Sequence, residues 1–224
     1  MASTARLQAP FGQSALLITT LAIPLTGWTV HAVSLHRQLA AARRDPLTGL
    51  LGRDGYTTKA QQLLRRHGDS ALVVLVDVDH FKQINDTRGH AAGDRVLAVI
   101  ARRLTAWAGN RGAAGRLGGD EFAAVTRISP ARRELRLAQL TALLTQPVHV
   151  DGAPVDVTAS IGAASPDILR TRDLALLQRT ADAAMYAGKH TGRAVLAEPQ
   201  HATVPSVNGR RAGRPGTNSL GRTA

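Results

Sequence analysis

Arg116-Leu117-Gly118-Gly119-Asp120-Glu121-Phe122, read with Val76-Asp77-Val78-Asp79 upstream, decides how this chain is built. Each stretch is an apolar run that meets acidic side chains where it ends or turns. A strand delivering Asp77 and a Gly-Gly turn delivering Asp120 place two carboxylates side by side. Hard oxygen donors so arranged hold Mg²⁺ against a nucleoside triphosphate, as in two-metal phosphoryl-transfer sites. Gly118-Gly119 makes a sharp turn without side chains, which lets phosphate oxygens approach backbone N–H groups.

The surrounding composition supports one domain of ordinary size with extensions. Of 224 residues, 44% are hydrophobic but only 3% aromatic, so the core is built from Ala, Leu, Val and Ile. There is no cysteine, which excludes disulfides and thiolate metal sites. The net charge of +12 is concentrated at the ends. Arg6, Arg37, Arg43 and Arg44 lie in residues 1–44, and Arg210, Arg211, Arg214 and Arg222 in residues 201–224, with no acid in either segment. The small excess left for residues 45–200 suits a triphosphate substrate and falls short of a nucleic-acid face.

Outward from the acidic motifs, the pattern reads as follows. Residues 1–13 form an N-terminal tail. Ser14–Leu35 contains no Asp, Glu, Lys or Arg, and at about 1.5 Å per residue it is long enough to cross a hydrocarbon core. Pro24, Gly27, His31 and several threonines dilute it, and Trp28 is expected to pack. A signal peptide, with Val30-His31-Ala32 as a small-residue site, and a buried or dimerising helix remain alternative readings. Residues 36–44 read as a linker helix whose Arg37, Arg43 and Arg44 outnumber Arg6. The positive-inside bias then puts a single-pass protein in the cytoplasmic membrane with its C-terminal domain inside the cell.

From Asp45 to residue 198 the spacing predicts a mixed domain. Helices are expected at Lys59–Arg66, Gly93–Trp107, Ala131–Leu144 (opened by Ser129-Pro130) and Leu174–Lys189. Strands are expected at Ala71–Asp77, Ala113–Leu117, Phe122–Arg127, Val155–Ile161 and Ala194–Ala197. This order implies an α+β fold whose central, mostly antiparallel sheet contains the Gly-Gly hairpin. Residues 199–224, rich in Gly, Arg, Ser, Thr and Pro, read as a disordered basic tail.

Six ordered motifs resemble the GGDEF diguanylate cyclases. They are Asp45-Pro46-Leu47-Thr48-Gly49-Leu50, Asp77 to Asp86, Gly89 to Asp94, Arg116 to Phe122, Val157 to Gly162, and Ala181 to Arg193. The resemblance covers about residues 45–197 and implies a palm-like nucleotide cyclase fold. It also implies condensation of two GTP into cyclic di-GMP and two pyrophosphates across a homodimer. The implied cofactor is Mg²⁺ or Mn²⁺, two ions per site as in two-metal phosphoryl transfer.

Site roles carry over position by position. Asp77, the Val78 carbonyl and Asp120 are the implied metal ligands. Asp120 matches the family's proton acceptor for the attacking 3′-hydroxyl, and Glu121 shares either role. Asp79 supports the site or merely the strand end. Lys82 neutralises charge on the transferring phosphate, Phe81 packs and lends its backbone N–H, and Gly118 and Gly119 leave room for substrate. Asn85 and Asp94 resemble the guanine readers: the carboxylate accepts from N1–H and the amine, and the amide donates to O6. His90 borders the base or is a plain loop residue. Lys189 and Arg193 match the pair used on the β- and γ-phosphates.

The chain departs from the family at three places, one of them Gly188 where an alanine is common. Leu51-Gly52 stands where an Asn usually precedes the arginine, here Arg53. The Arg-x-x-Asp inhibitory site falls on Gly109 and Gly112, so no inhibitory site is expected. A non-catalytic module binding GTP or cyclic di-GMP remains the alternative. A palm acting on nucleic acid would need a template-binding domain or aromatic-interleaved basic patches that residues 45–200 lack, so no nucleic-acid partner is expected.

Overall fold

A computed structural model describes Trp28, His31, residues 44–189 and residues 191–204. The described residues from Arg44 onward form one compact unit. Its centre is β1 (Ala71–Val78), every residue of which is buried. The continuous β-branched run predicts this, because a strand covered on both faces has no polar side to show. It pairs antiparallel with β3 (Glu121–Arg127) on one edge and β6 (Ala159–Ala164) on the other. β2 (Ala113–Gly118) pairs antiparallel with β3, and β7 (Val195–Leu196) runs parallel to β6. The sheet order is β2-β3-β1-β6-β7, mostly antiparallel as expected.

The alternation of β1 splits the core in two. Leu72, Val74, Val76 and Val78 face α3 (His90–Ala108) and α4 (Arg133–Leu144), with Val96, Ile100, Leu104, Leu137 and Leu140 against them. Ala71, Val73 and Leu75 face α1 (Arg53–His67) and α6 (Leu174–Gly188), with Leu64, Leu177, Ala181 and Ala184. Asp77 has the parity of Val73 and Leu75, so its carboxylate belongs to the α1/α6 face. Period-two geometry thereby chooses which helix ends surround it.

Several expectations change. α1 begins at Arg53 and α3 at His90, each earlier than the apolar spacing indicates. α2 (Phe81–Arg88) was not expected from periodicity because none of its residues is buried. Ser129 makes no side-chain cap, and Pro130–Arg132 form a 3₁₀ turn before α4. The strand expected at Val155–Ile161 is two: β5 (Ala153–Val155) makes a hairpin with β4 (Val148–Val150), and β6 starts at Ala159. Val155, Val157 and Ala159 are all buried, so the alternation is real. Between them, the Thr158 carbonyl turns to accept from the Asp79 N–H at 3.0 Å. A short helix, α5 (Pro166–Leu169), precedes α6.

The basic tail does not begin where composition suggests. Pro199–Thr203 form a 3₁₀ helix, closed by a reciprocal Glu198–His201 capping box. Arg44, placed in the expected linker helix, instead makes an isolated antiparallel bridge with Leu51. The remainder of 1–13, Ser14–Leu35 and 36–43 lies outside the described residues, except that Trp28 and His31 are helical. Trp28, expected to pack, is 77% exposed. Among the described residues, no helix is long and apolar enough to cross a membrane.

Candidate active site

Three chain segments converge at the C-terminal end of β1. Asp77 is directly opposite Glu121 on β3 and Ser160 on β6, so the three side chains share the α1/α6 face. The Val78 N–H donates to the Asp120 carbonyl at 3.2 Å, which ties the acidic turn to the strand that carries Asp77. Asp77 is only 3% exposed. A buried carboxylate needs a partner, and Lys189 Nζ stands 3.6 Å from Oδ1. Lys189 follows directly on α6, the helix packed against that face.

The turn itself is fastened by side chains from β2 and from the start of α1. Arg116 donates through Nε and Nη2 to the Gly119 carbonyl at 3.0 and 2.8 Å, and through Nη1 to the Asp45 carboxylate at 3.1 Å. Arg53 donates to the Leu117 carbonyl at 2.5 Å. Asp45 also accepts from the Thr48 N–H and hydroxyl. Burial works against its ionisation, but the bonds from Thr48 and Arg116 outweigh that and hold the carboxyl below its ordinary range.

Gly118 and Gly119 serve the turn differently from expectation. Neither takes a left-handed conformation, and the hairpin absorbs its bend as a bulge between Arg116 and Gly118. A side chain at Gly119 would meet nothing within 4 Å, and a Cβ at Gly118 would lie 3.4 Å from the Glu121 carboxylate. The glycines keep the approach to the acids open.

On the β6 edge of β1, Asp79 accepts from the Ser160 hydroxyl at 2.7 Å. His80 follows in the left-handed region at φ 55°, a costly conformation for a non-glycine. It turns the chain so that α2 starts at Phe81. Asp79, His80, Ser160, Lys189 and Arg193 line a cavity of about 330 Å³. Lys82 is exposed on the first turn of α2, while Phe81 packs partly against the core.

Between α2 and α3, Asn85 Oδ1 is buried without a hydrogen-bond partner. A Cβ on Gly93 would come within 1.9 Å of that oxygen, so only glycine permits α3 to pass this close. Asp94 follows it, exposed, and His90 is exposed at the start of α3.

The residues fit a divalent ion in a particular way. Among the described residues, no three His, Cys, Asp or Glu side chains form a ready-made metal cage. Mg²⁺ is commonly held by one or two carboxylates together with substrate phosphates. A buried Asp77 beside the Asp120-Glu121 turn supplies that smaller donor set.

At the far end of the sheet, Gly109 closes α3 with φ 65°. A Cβ on Gly112 would lie 2.6 Å from the Ala108 carbonyl and 2.8 Å from Thr126. Packing as well as sequence leaves no carboxylate at position 112. Sequence reasoning had assigned no role to Arg116 or Ser160. An acid–base pair 71 residues apart gives no local signal.

Comparison with known proteins agrees with this geometry. The family model described as diguanylate cyclase, GGDEF domain, matches residues 42–195. An uncharacterised 19.3 kDa protein of Streptomyces ambofaciens is 48% identical over 171 residues, covering 76% of this chain and 91% of that one. The diguanylate cyclase DgcN of Escherichia coli is 36% identical over 190 residues, covering 81% of this chain and 46% of that protein. The chain thus spans about half the length of that cyclase. A solved structure of Pseudomonas aeruginosa TpbB comprising only the GGDEF domain superposes with a TM-score of 0.62 at 35% identity, covering 70% of this chain and 96% of that one. With a palm-like sheet that carries the acidic turn beside Asp77, the chain belongs to the GGDEF-domain diguanylate cyclase family.

Proposed function

We propose that this chain condenses two GTP into cyclic di-GMP with release of two pyrophosphates, in a metal-dependent reaction completed across a homodimer. The observation that carries the reading is the meeting of buried Asp77 with the Asp120-Glu121 turn beside Lys189. Asp77, the Val78 carbonyl and Asp120 would hold Mg²⁺ or Mn²⁺, which when bound acidifies the 3′-hydroxyl and screens the transferring phosphate.

The chain's own groups then divide the work. Asp120, with Glu121 next to it, accepts the proton from the 3′-hydroxyl. The Phe81 and Lys82 N–H groups at the start of α2, with the Lys82 ammonium, face phosphate oxygens, and Lys189 and Arg193 hold the outer phosphates. The Asn85 amide donates to guanine O6, and Asp94 accepts from N1–H and the exocyclic amine. Adenine offers no donors at those positions. One chain carries one such set, whereas the product needs two nucleotides. An antiparallel pair of chains lets each 3′-hydroxyl attack the opposite α-phosphate. Incubating the purified chain with Mg²⁺ and GTP, with ATP as control, tests the reading by its dinucleotide product. Linear or absent product refutes it.

The placement in the membrane is also a proposal, resting on the uncharged stretch Ser14–Leu35 and the arginines that follow it. Confinement to two dimensions would favour the productive dimer. Full-length protein recovered wholly in the soluble fraction after cell fractionation ends this idea.

A further inference from the structure

Asp77 and Lys189 hold two different halves of the proposed substrate complex, yet here they hold each other. Their separation is 3.6 Å, with the Asp77 side chain 5% and the Lys189 side chain 35% exposed. An ion pair in that position neutralises a carboxylate that burial would otherwise penalise. It also places an ammonium against the carboxylate that a divalent ion must approach to about 2.1 Å. Two cations drawn to one carboxylate at such distances repel each other.

We infer that the Asp77–Lys189 pair is a latch that couples metal loading to nucleotide loading. Lys189 competes with the divalent ion for Asp77 while the site holds no nucleotide. A triphosphate draws the ammonium away, and the exposed third of its side chain leaves it free to swing toward the cavity it lines with Arg193. Asp77 is then released to the ion, which the phosphates help to hold. Because coupling of this kind is reciprocal, the ion strengthens nucleotide binding by the same factor. The inference rests on the reading of Asp77 as a metal ligand.

Equilibrium Mn²⁺ binding to the nucleotide-free full chain, followed by the spin resonance of free Mn²⁺, separates the two. Asp77→Asn is expected to abolish the binding. If it has no effect, the metal-site reading fails and the latch fails with it. With that control in place, Lys189→Gln and Lys189→Met are expected to tighten Mn²⁺ by about tenfold, the size of effect an opposite charge exerts at this range. Arg193→Gln removes an equal charge from the same cavity without touching Asp77 and is expected to leave Mn²⁺ affinity unchanged. A non-hydrolysable GTP analogue is expected to tighten Mn²⁺ more in the wild type than in either Lys189 variant. Unchanged or weaker Mn²⁺ binding in both Lys189 variants overturns the latch alone. So does a gain in Arg193→Gln equal to theirs, since the effect would then be general positive potential.

Discussion

Arg116 and Asp45 form an ion pair of 3.1 Å that joins the start of the domain to its acidic turn, because the same guanidinium also binds the Gly119 carbonyl. The turn that presents Asp120 is therefore braced by a side chain as well as by its backbone bond to Val78. Arg116→Met is expected to lower kcat by about a hundredfold through misplacement of the reacting groups, with a smaller change in KM. An initial-rate series decides this, and wild-type kcat would show that the pair only braces the fold.

The same pair sets an acid limit. The folded-state carboxyl of Asp45 lies below its ordinary range, the net result of opposing burial and stronger bonds from Thr48 and Arg116. A depressed carboxyl contributes stability above its unfolded value, near about 3.9, and loses it as pH falls through the folded value. The stability gap between the wild type and Asp45→Asn should thus be constant near neutrality and shrink below about pH 4. Denaturant unfolding across that range measures it, and a gap independent of pH would contradict the assignment.

The base pocket depends on a close approach of two helices. In Gly93→Ala the new methyl would collide with Asn85 Oδ1, so GTP affinity should fall while the sheet remains intact. Asp94→Ala removes an exposed side chain and should leave thermal stability unchanged but reduce the preference for GTP over ATP. An unaltered preference in competition assays would remove Asp94 from base recognition.

How far was this legible beforehand? The buried run of β1, the Gly-Gly hairpin and the amphipathic α3 and α6 announce themselves by periodicity. α2 does not, since it buries nothing. The β4–β5 hairpin had an available signal in Asp151-Gly152, both of which take positive φ, as a two-residue hairpin turn requires. Asp77, Val78, Asp120 and Glu121 come together where the motifs suggest. The contacts of Arg116 with Asp45, Ser160 with Asp79 and Lys189 with Asp77 were invisible. Each joins distant segments, and strand parity and helix length, not local pattern, decide which side chains meet.

Feedback by product should be weak. Gly109 and Gly112 offer neither guanidinium nor carboxylate, and position 112 has no room for a side chain. Cyclic di-GMP added at micromolar levels should compete with GTP only. Inhibition that excess GTP does not relieve would show a product site away from the catalytic turn.

The central claim is that the Asp120-Glu121 turn beside Asp77 performs metal-dependent GTP condensation. Its most direct test is chromatographic detection of cyclic di-GMP from Mg²⁺ and GTP by the wild type and by Asp120→Ala, with circular dichroism to confirm folding. The wild type is expected to produce cyclic di-GMP and pyrophosphate in a 1:2 ratio, and the folded variant none. Comparable product from Asp120→Ala, or no product from a folded, metal-loaded wild type, would contradict it.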